Sequence, residues 1–137
     1  MDNPFFVSTD KSQLDLPMIH EFLSKRSYWA KDRTIDAVQR SIDNSLCFGV
    51  YTGSGKQVGF GRVVTDYTIF GWLMDVFITE THRGHGLGKM LLQAVMSHPE
   101  LQTLKRWGLV TKDAHSLYEK AGFVVVENPE RMMEKLG

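Results

Sequence analysis

A stretch with strand character, Asp75-Val76-Phe77-Ile78, leads through Arg83-Gly84-His85-Gly86-Leu87-Gly88-Lys89 into a stretch whose apolar residues recur at helical spacing: Leu87, Met90, Leu91, Ala94 and Val95. A strand that passes through a glycine-rich turn into a helix fixes a βα unit, because the helix has to cross the sheet before another parallel strand can form. The same turn has an electrical consequence. Glycine places no Cβ in front of it, and the helix that starts there presents unpaired N–H groups and a partial positive charge. A phosphate or pyrophosphate is the natural guest of such a place.

Glycine turns differ in spacing, and most kinds are excluded here. A P-loop needs glycine where Arg83 stands and a Ser or Thr after its lysine, where Met90 follows Lys89. A dinucleotide fingerprint needs glycine where Lys89 or Leu91 stands. What fits is Arg-x-x-Gly-x-Gly, filled by Arg83, Gly86 and Gly88. This hexapeptide resembles the acetyl-CoA pyrophosphate loop of the GNAT N-acetyltransferases. Downstream, Leu117-Tyr118-Glu119-Lys120-Ala121-Gly122-Phe123 resembles the later motif of that family, in the same order along the chain. It reads as a short helix with Asp113 as N-cap, Lys120 in its last turn and Gly122 as a left-handed stop, followed by a final strand from Phe123 through Val124-Val125-Val126. The resemblance extends from about Phe6 to Val126.

The remaining elements follow from periodicity. Phe5-Phe6-Val7 is a short strand; Leu16, Ile19, Phe22 and Leu23 form the apolar face of a helix with Pro17 in its first turn; a second helix starts at Thr34, with Ile35, Val38 and Ile42 on one side. Leu46 to Tyr51 and Val58 to Val64 are strands around a hairpin loop at Thr52-Gly53-Ser54-Gly55-Lys56. A long strand runs from about Ile69 to Ile78, the helix after the glycine turn ends near His98-Pro99, and Arg106 to Val110 is a further strand. This order predicts an α/β fold with a mixed sheet and helices on both faces. The resemblance adds that the sheet splays between Val76-Phe77-Ile78 and Leu109-Val110-Thr111, leaving a gap for the pantetheine arm of the cofactor.

At 137 residues the chain is long enough for a single domain with its own core. Sixteen Lys and Arg balance sixteen Asp and Glu, so no basic footprint for nucleic acid exists. The only thiol, Cys47, permits no internal disulfide and reads as a buried small hydrophobe. No apolar stretch approaches the ~18 residues of a membrane span, and Met1-Asp2-Asn3-Pro4 lacks targeting character. A cytoplasmic protein without a membrane partner is the expectation. His82 and His85 have no Cys or carboxylate at ligand spacing, so no metal is expected.

The resemblance assigns roles residue by residue. Acetyl-CoA would be the cosubstrate. The amides of Gly84, His85, Gly86, Leu87, Gly88 and Lys89, with the charges of Arg83 and Lys89, would hold its pyrophosphate. The Val76 N–H would face the thioester carbonyl, Phe77 and Ile78 would continue the cofactor-binding strand, and Thr111 stands where the family often carries an asparagine that binds pantetheine. Tyr118 matches the general acid that protonates the departing thiolate; its alternative is a Tyr packed at the sheet edge. Asp75 interrupts an apolar strand, which an unpaired carboxylate does only at a cost of several kcal/mol, so it is either the general base or half of a salt bridge, with Arg62 as partner. Glu80, Asp66 and His20 are the reserve bases.

The regions that select an acceptor in such folds are aromatic here: Tyr28, Trp29 and Trp72, with Tyr67 and Phe70 nearby. They could cage a small cationic amine by cation–π attraction, or merely pack helix to sheet. A small-molecule amine is the expected acceptor. The alternatives are a protein lysine or N-terminal amine, or a non-catalytic acyl-CoA sensor. A homodimer through edge strands or through Arg131-Met132-Met133-Glu134-Lys135-Leu136 is one assembly these features allow.

Overall fold

The structure, a computed structural model, describes residues 4–137, so the expectation for the extreme N-terminus lies outside the described residues in part. Strand β1 (Phe5–Ser8) is followed by helix α1 (Leu16–Glu21), whose Asp15 cap accepts from the Met18 N–H with Pro in the first turn. The helix then widens into a π-type turn over Phe22–Arg26. The cause is local. Ser24 and Ser27 hydroxyls donate to the carbonyls of His20 and Leu23, four residues back, and such hydroxyls bend a helix. Helix α2 (Ile35–Asp43) starts as expected on Thr34, whose hydroxyl accepts from the Ala37 N–H.

Strands β2 (Leu46–Thr52), β3 (Gln57–Thr65) and β4 (Phe70–Ile78) form an antiparallel meander with β1. After α3 (Leu87–Ser97) the chain returns as β5 (Arg106–Gly108), parallel to β4, and ends in α4 (His115–Glu119) and a C-terminal segment. The sheet is therefore mixed, in the order β1-β2-β3-β4-β5. One core lies between the sheet and α3, around Val50, Val63, Leu73, Leu91 and Val95. The other lies between the sheet and α1–α2, where Ile19, Leu23 and Ile42 surround Phe22 stacked on Phe77 at 4.0 Å. Helices thus cover both faces.

Strand β4 carries the feature that shapes the site. Arg62 faces Met74 and Phe60 faces Phe77, so Gly61 alone stands against Asp75 and Val76. This is a β-bulge, with Asp75 at φ 55°. Residues four apart on a regular strand share a face, yet Leu73 belongs to the α3 core and Phe77 to the α1–α2 core. The additional residue reverses the parity of everything after it.

Pairing between β4 and β5 covers only Phe70–Arg106, Gly71–Trp107 and Trp72–Gly108, and then stops. Gly108 is required where it stops, since a Cβ there would meet the Trp72 indole at 2.5 Å. Beyond that indole the strands diverge. Two sequence readings are corrected. Val110 is 82% exposed and falls outside β5, and Val124-Val125-Val126 forms no strand: Val124 and Val125 are 82% and 74% exposed. β-branched residues favour a strand when a neighbouring edge and a covered face receive them, and here neither does.

The Tyr51 hydroxyl is buried without a hydrogen-bond partner among the described residues, and burial pushes its pKa from 10.0 to about 12. The folded phenol stays neutral where the unfolded one ionises. Stability is therefore full below about pH 10 and falls by about 3 kcal/mol as pH climbs through 12. A Tyr51→Phe protein is expected to lack this alkaline loss and, without the unpaired hydroxyl, to gain about 1 kcal/mol at neutral pH. Urea unfolding at about pH 8 and about pH 11 checks both.

Candidate active site

The glycine turn stands at the end of β4. Arg83 anchors it, its Nε donating to the Ile78 carbonyl at 3.1 Å, while Leu87 fixes the helix by burial in the α3 core. Gly84 and Gly86 take φ values of 85° and 72°, which only glycine adopts without strain. Gly86 is the N-cap of α3 and supplies no side-chain hydrogen bond; the first helical bond is Met90 N–H to the Gly86 carbonyl. The N–H groups from Gly84 to Lys89 have no acceptor among the described residues, and the dipole of an eleven-residue helix adds to them. His85 is exposed beside Phe5, and Lys89 is exposed on the α3 surface toward Lys120.

Where β4 and β5 part, a cavity of about 320 Å³ opens. It brings together Tyr28, Trp29, Arg33, Trp72, Asp75, Val76, Thr111 and Tyr118 among its walls. Residues separated by most of the chain's length meet there. Phe77 is not among them, since its ring is committed to the α1–α2 core. Val76 and Ile78 direct their side chains to the α3 core, leaving the β4 backbone as the element that faces the gap.

Tyr118 is buried, its ring edge-on to Phe123 at 5.9 Å, and its hydroxyl makes no hydrogen bond among the described residues. Burial raises its pKa above 10.0, so the phenol keeps its proton. Helix α4 presents it through a cap that differs from the expected one. Asp113 makes no capping bond; the N-cap is Ala114, with no side-chain cap, and Thr111 Oγ1 accepts from the Ala114 N–H at 3.0 Å. The hydroxyl expected to substitute for an asparagine thus already accepts one bond, which leaves its proton and one lone pair for a ligand. The stop is as read, with Gly122 at φ 96° and the Phe123 N–H returning to the Tyr118 carbonyl.

Asp75 sits in a cluster of ion pairs. Its side chain is 1% exposed, with Oδ2 accepting from Arg33 Nη1 and Arg62 Nε at 2.7 Å each and Oδ1 accepting from Trp29 Nε1 at 3.1 Å. Its two oxygens are thus engaged by two guanidinium groups and an indole N–H, which is the salt-bridge alternative with Arg62 and, beyond it, Arg33. The reserve bases are elsewhere. Glu80 pairs with Arg26 at 3.3 Å, Asp66 closes the β3–β4 turn by accepting three N–H groups, and His20 Nε2 lies 3.0 Å from the Arg33 carbonyl. None of them lines the cavity.

Sequence reasoning missed Arg33. It stands between Asp32, which turns the chain at φ 64°, and the Thr34 cap, in the α1–α2 connection. A cation just before a helix N-terminus opposes the dipole there, and that unfavourable placement was the available signal. Tyr28 and Trp29 form an edge-to-face pair at 5.2 Å in the same connection, and the Lys112 ammonium sits 5.2 Å over the Tyr28 ring.

The mixed sheet thus parts after the Trp72–Gly108 pair, with the glycine-opened helix α3 following β4 and the buried Tyr118 phenol lining the opening. The chain matches the family model for the acetyltransferase (GNAT) domain over residues 43–125. FG08082 of Gibberella zeae, which carries an acetyltransferase name, is 34% identical over 138 residues, covering 85% of this chain and 76% of the relative. A crystal structure of a GNAT-family protein from Xanthomonas campestris pv. campestris superposes with a TM-score of 0.93 at 49% identity, over 97% of this chain and 93% of that one. Rv2747 of Mycobacterium tuberculosis, solved in complex with CoA and a second ligand, shares the fold with a TM-score of 0.73 at 17% identity, over 89% of this chain and 73% of that one. The chain belongs to the GNAT acetyltransferase family. Among the described residues, no helix is long and apolar enough to cross a membrane.

Proposed function

We propose that this protein moves an acetyl group from acetyl-CoA to the primary amine of a small molecule, by direct attack with both substrates bound. The observation that carries this reading is the cavity at the β4–β5 parting, lined by Val76 and Tyr118, on the strand that runs on through the glycine turn into the uncapped start of α3. The CoA complex of Rv2747, a protein of the same fold, supports the choice of cosubstrate. The bound thioester supplies the activated acetyl group.

This chain's residues then have distinct tasks. The N–H groups from Gly84 to Lys89, helped by the charges of Arg83 and Lys89, hold the pyrophosphate. The β4 backbone beside the gap offers the Val76 N–H to the thioester oxygen as negative charge grows there. Tyr118 passes its proton to the departing sulfur; free phenol and thiol pKa values differ by about 1.5, an uphill cost of about 2 kcal/mol to which the burial of Tyr118 adds. Water at the cavity mouth takes the proton of the acceptor ammonium, since Asp75 is engaged by its two arginines. Tyr28 and Trp29 wall a space of about 320 Å³, which suits a small acceptor better than a peptide.

Incubation of the protein with acetyl-CoA and a panel of primary amines, reading free thiol release, tests the reading. Release with at least one amine, well above hydrolysis, is expected. Tight CoA binding in calorimetry without release for any amine would mark a sensor instead, and turnover confined to peptide amines would overturn the small-molecule acceptor.

A further inference from the structure

The cluster around Asp75 holds more positive charge than it neutralises. One carboxylate receives two guanidinium groups, so the group as a whole carries a net positive charge. The two arginines are not equivalent. Arg62 is inside the sheet, its side chain 10% exposed, with Nε on Asp75, Nη1 donating to Ser45 Oγ at 2.9 Å and Nη2 near Met74 Sδ. Arg33 has a side chain 22% exposed, lines the cavity, and uses only Nη1, on Asp75. Its Nε and Nη2 have no protein acceptor among the described residues.

We propose that Arg33 is the acceptor-selecting residue, and that the acceptor is an amine bearing an anionic group, a carboxylate or a phosphate. This rests on the transferase reading given above. Nε and Nη2 point the same way from a planar guanidinium and match two oxygens of one anion, a fork that lysine cannot present. Asp75 holds that fork in place through Nη1, and Trp29, which donates to the other Asp75 oxygen, packs the same wall. Asp75 and Trp29 are therefore positioning residues for Arg33. The cavity that Arg33 lines also contains Val76 and Tyr118, so an acceptor held at its anionic end extends its amine toward the acyl group.

The cage for a cationic amine fits this wall poorly. The Tyr28 ring already carries the Lys112 ammonium. A second positive group on the acceptor would meet Arg33 instead of a free carboxylate.

Thiol release measured with an amino acid, its carboxamide, a phosphorylated amino alcohol, the parent amino alcohol and a diamine tests the proposal. The wild-type kcat/KM is expected to favour one acid-bearing amine over its neutral counterpart by at least about tenfold. The amino acid and the phosphorylated arm distinguish carboxylate from phosphate. Arg33→Lys, which keeps the charge but not the fork, is expected to remove most of that preference while CoA affinity in calorimetry stays as in wild type. If Arg33 merely supports Asp75, turnover of every amine falls together and the preference ratio survives, which overturns the proposal. Equal or better turnover of the diamine by wild type overturns it too, and leaves the transferase reading standing. Absence of thiol release with any amine refutes both.

Discussion

An Asp75→Ala protein is expected to lose about 3 to 5 kcal/mol of folding stability. The side chain removed is 1% exposed and receives hydrogen bonds from Arg33, Arg62 and Trp29. Its loss leaves the Arg62 guanidinium inside the sheet without its counter-charge, and an unpaired buried charge costs more than the pair contributed. The backbone adds a smaller penalty, because Asp75 sits at φ 55°, a conformation that aspartate tolerates better than alanine does. Urea unfolding of the wild type and the variant measures the difference. The double variant Asp75→Ala with Arg62→Met is expected to recover part of the loss, since it removes the stranded charge as well. A loss below about 1 kcal/mol in the single variant would show that water enters the cluster and that the pair is not truly buried.

The second large effect falls on catalysis. Tyr118→Phe is expected to lower kcat by about a hundredfold or more, with the KM for acetyl-CoA little changed, since a positioned general acid contributes about 10² to 10⁴. The ring that packs on Phe123 is retained, so the fold should be unaffected. The sign of the pH dependence follows from burial. Raising the pKa above 10.0 keeps the phenol protonated at neutral pH, so any loss of rate from its ionisation falls on the alkaline side, higher than a free tyrosine would place it. Steady-state thiol release from about pH 7 to about pH 10, on wild type and variant, checks both statements. An unchanged kcat would remove the acid role and leave Tyr118 as packing.

How much of this was legible in the sequence depends on whether a signal was local. The glycine turn, the Thr34 cap, the hairpin meander and the Gly122 stop are each written within a few neighbouring residues, and each appears where it was read. The Asp75 cluster is not written locally. Trp29 and Arg33 come from the α1–α2 connection and Arg62 from β3, so only the folded chain shows that the carboxylate is taken. Asp113 looked like a cap because aspartate commonly is one, yet the helix starts one residue later, on Ala114, with no side-chain cap. Val124-Val125-Val126 has strand composition but no receiving edge, and composition cannot supply the edge.

The out-of-step residue in β4 makes that strand answer to two different walls of the protein. Before Asp75 its inward side is set by the α3 core, and after it the count restarts, so Phe77 can lie against Phe22. Changing the strand's length by a single residue would leave one half seated and turn the other inside out. For β4, the number of residues is as strict a constraint as their identity, and tolerance for insertion belongs to the β2–β3 turn at Gly53–Gly55 instead.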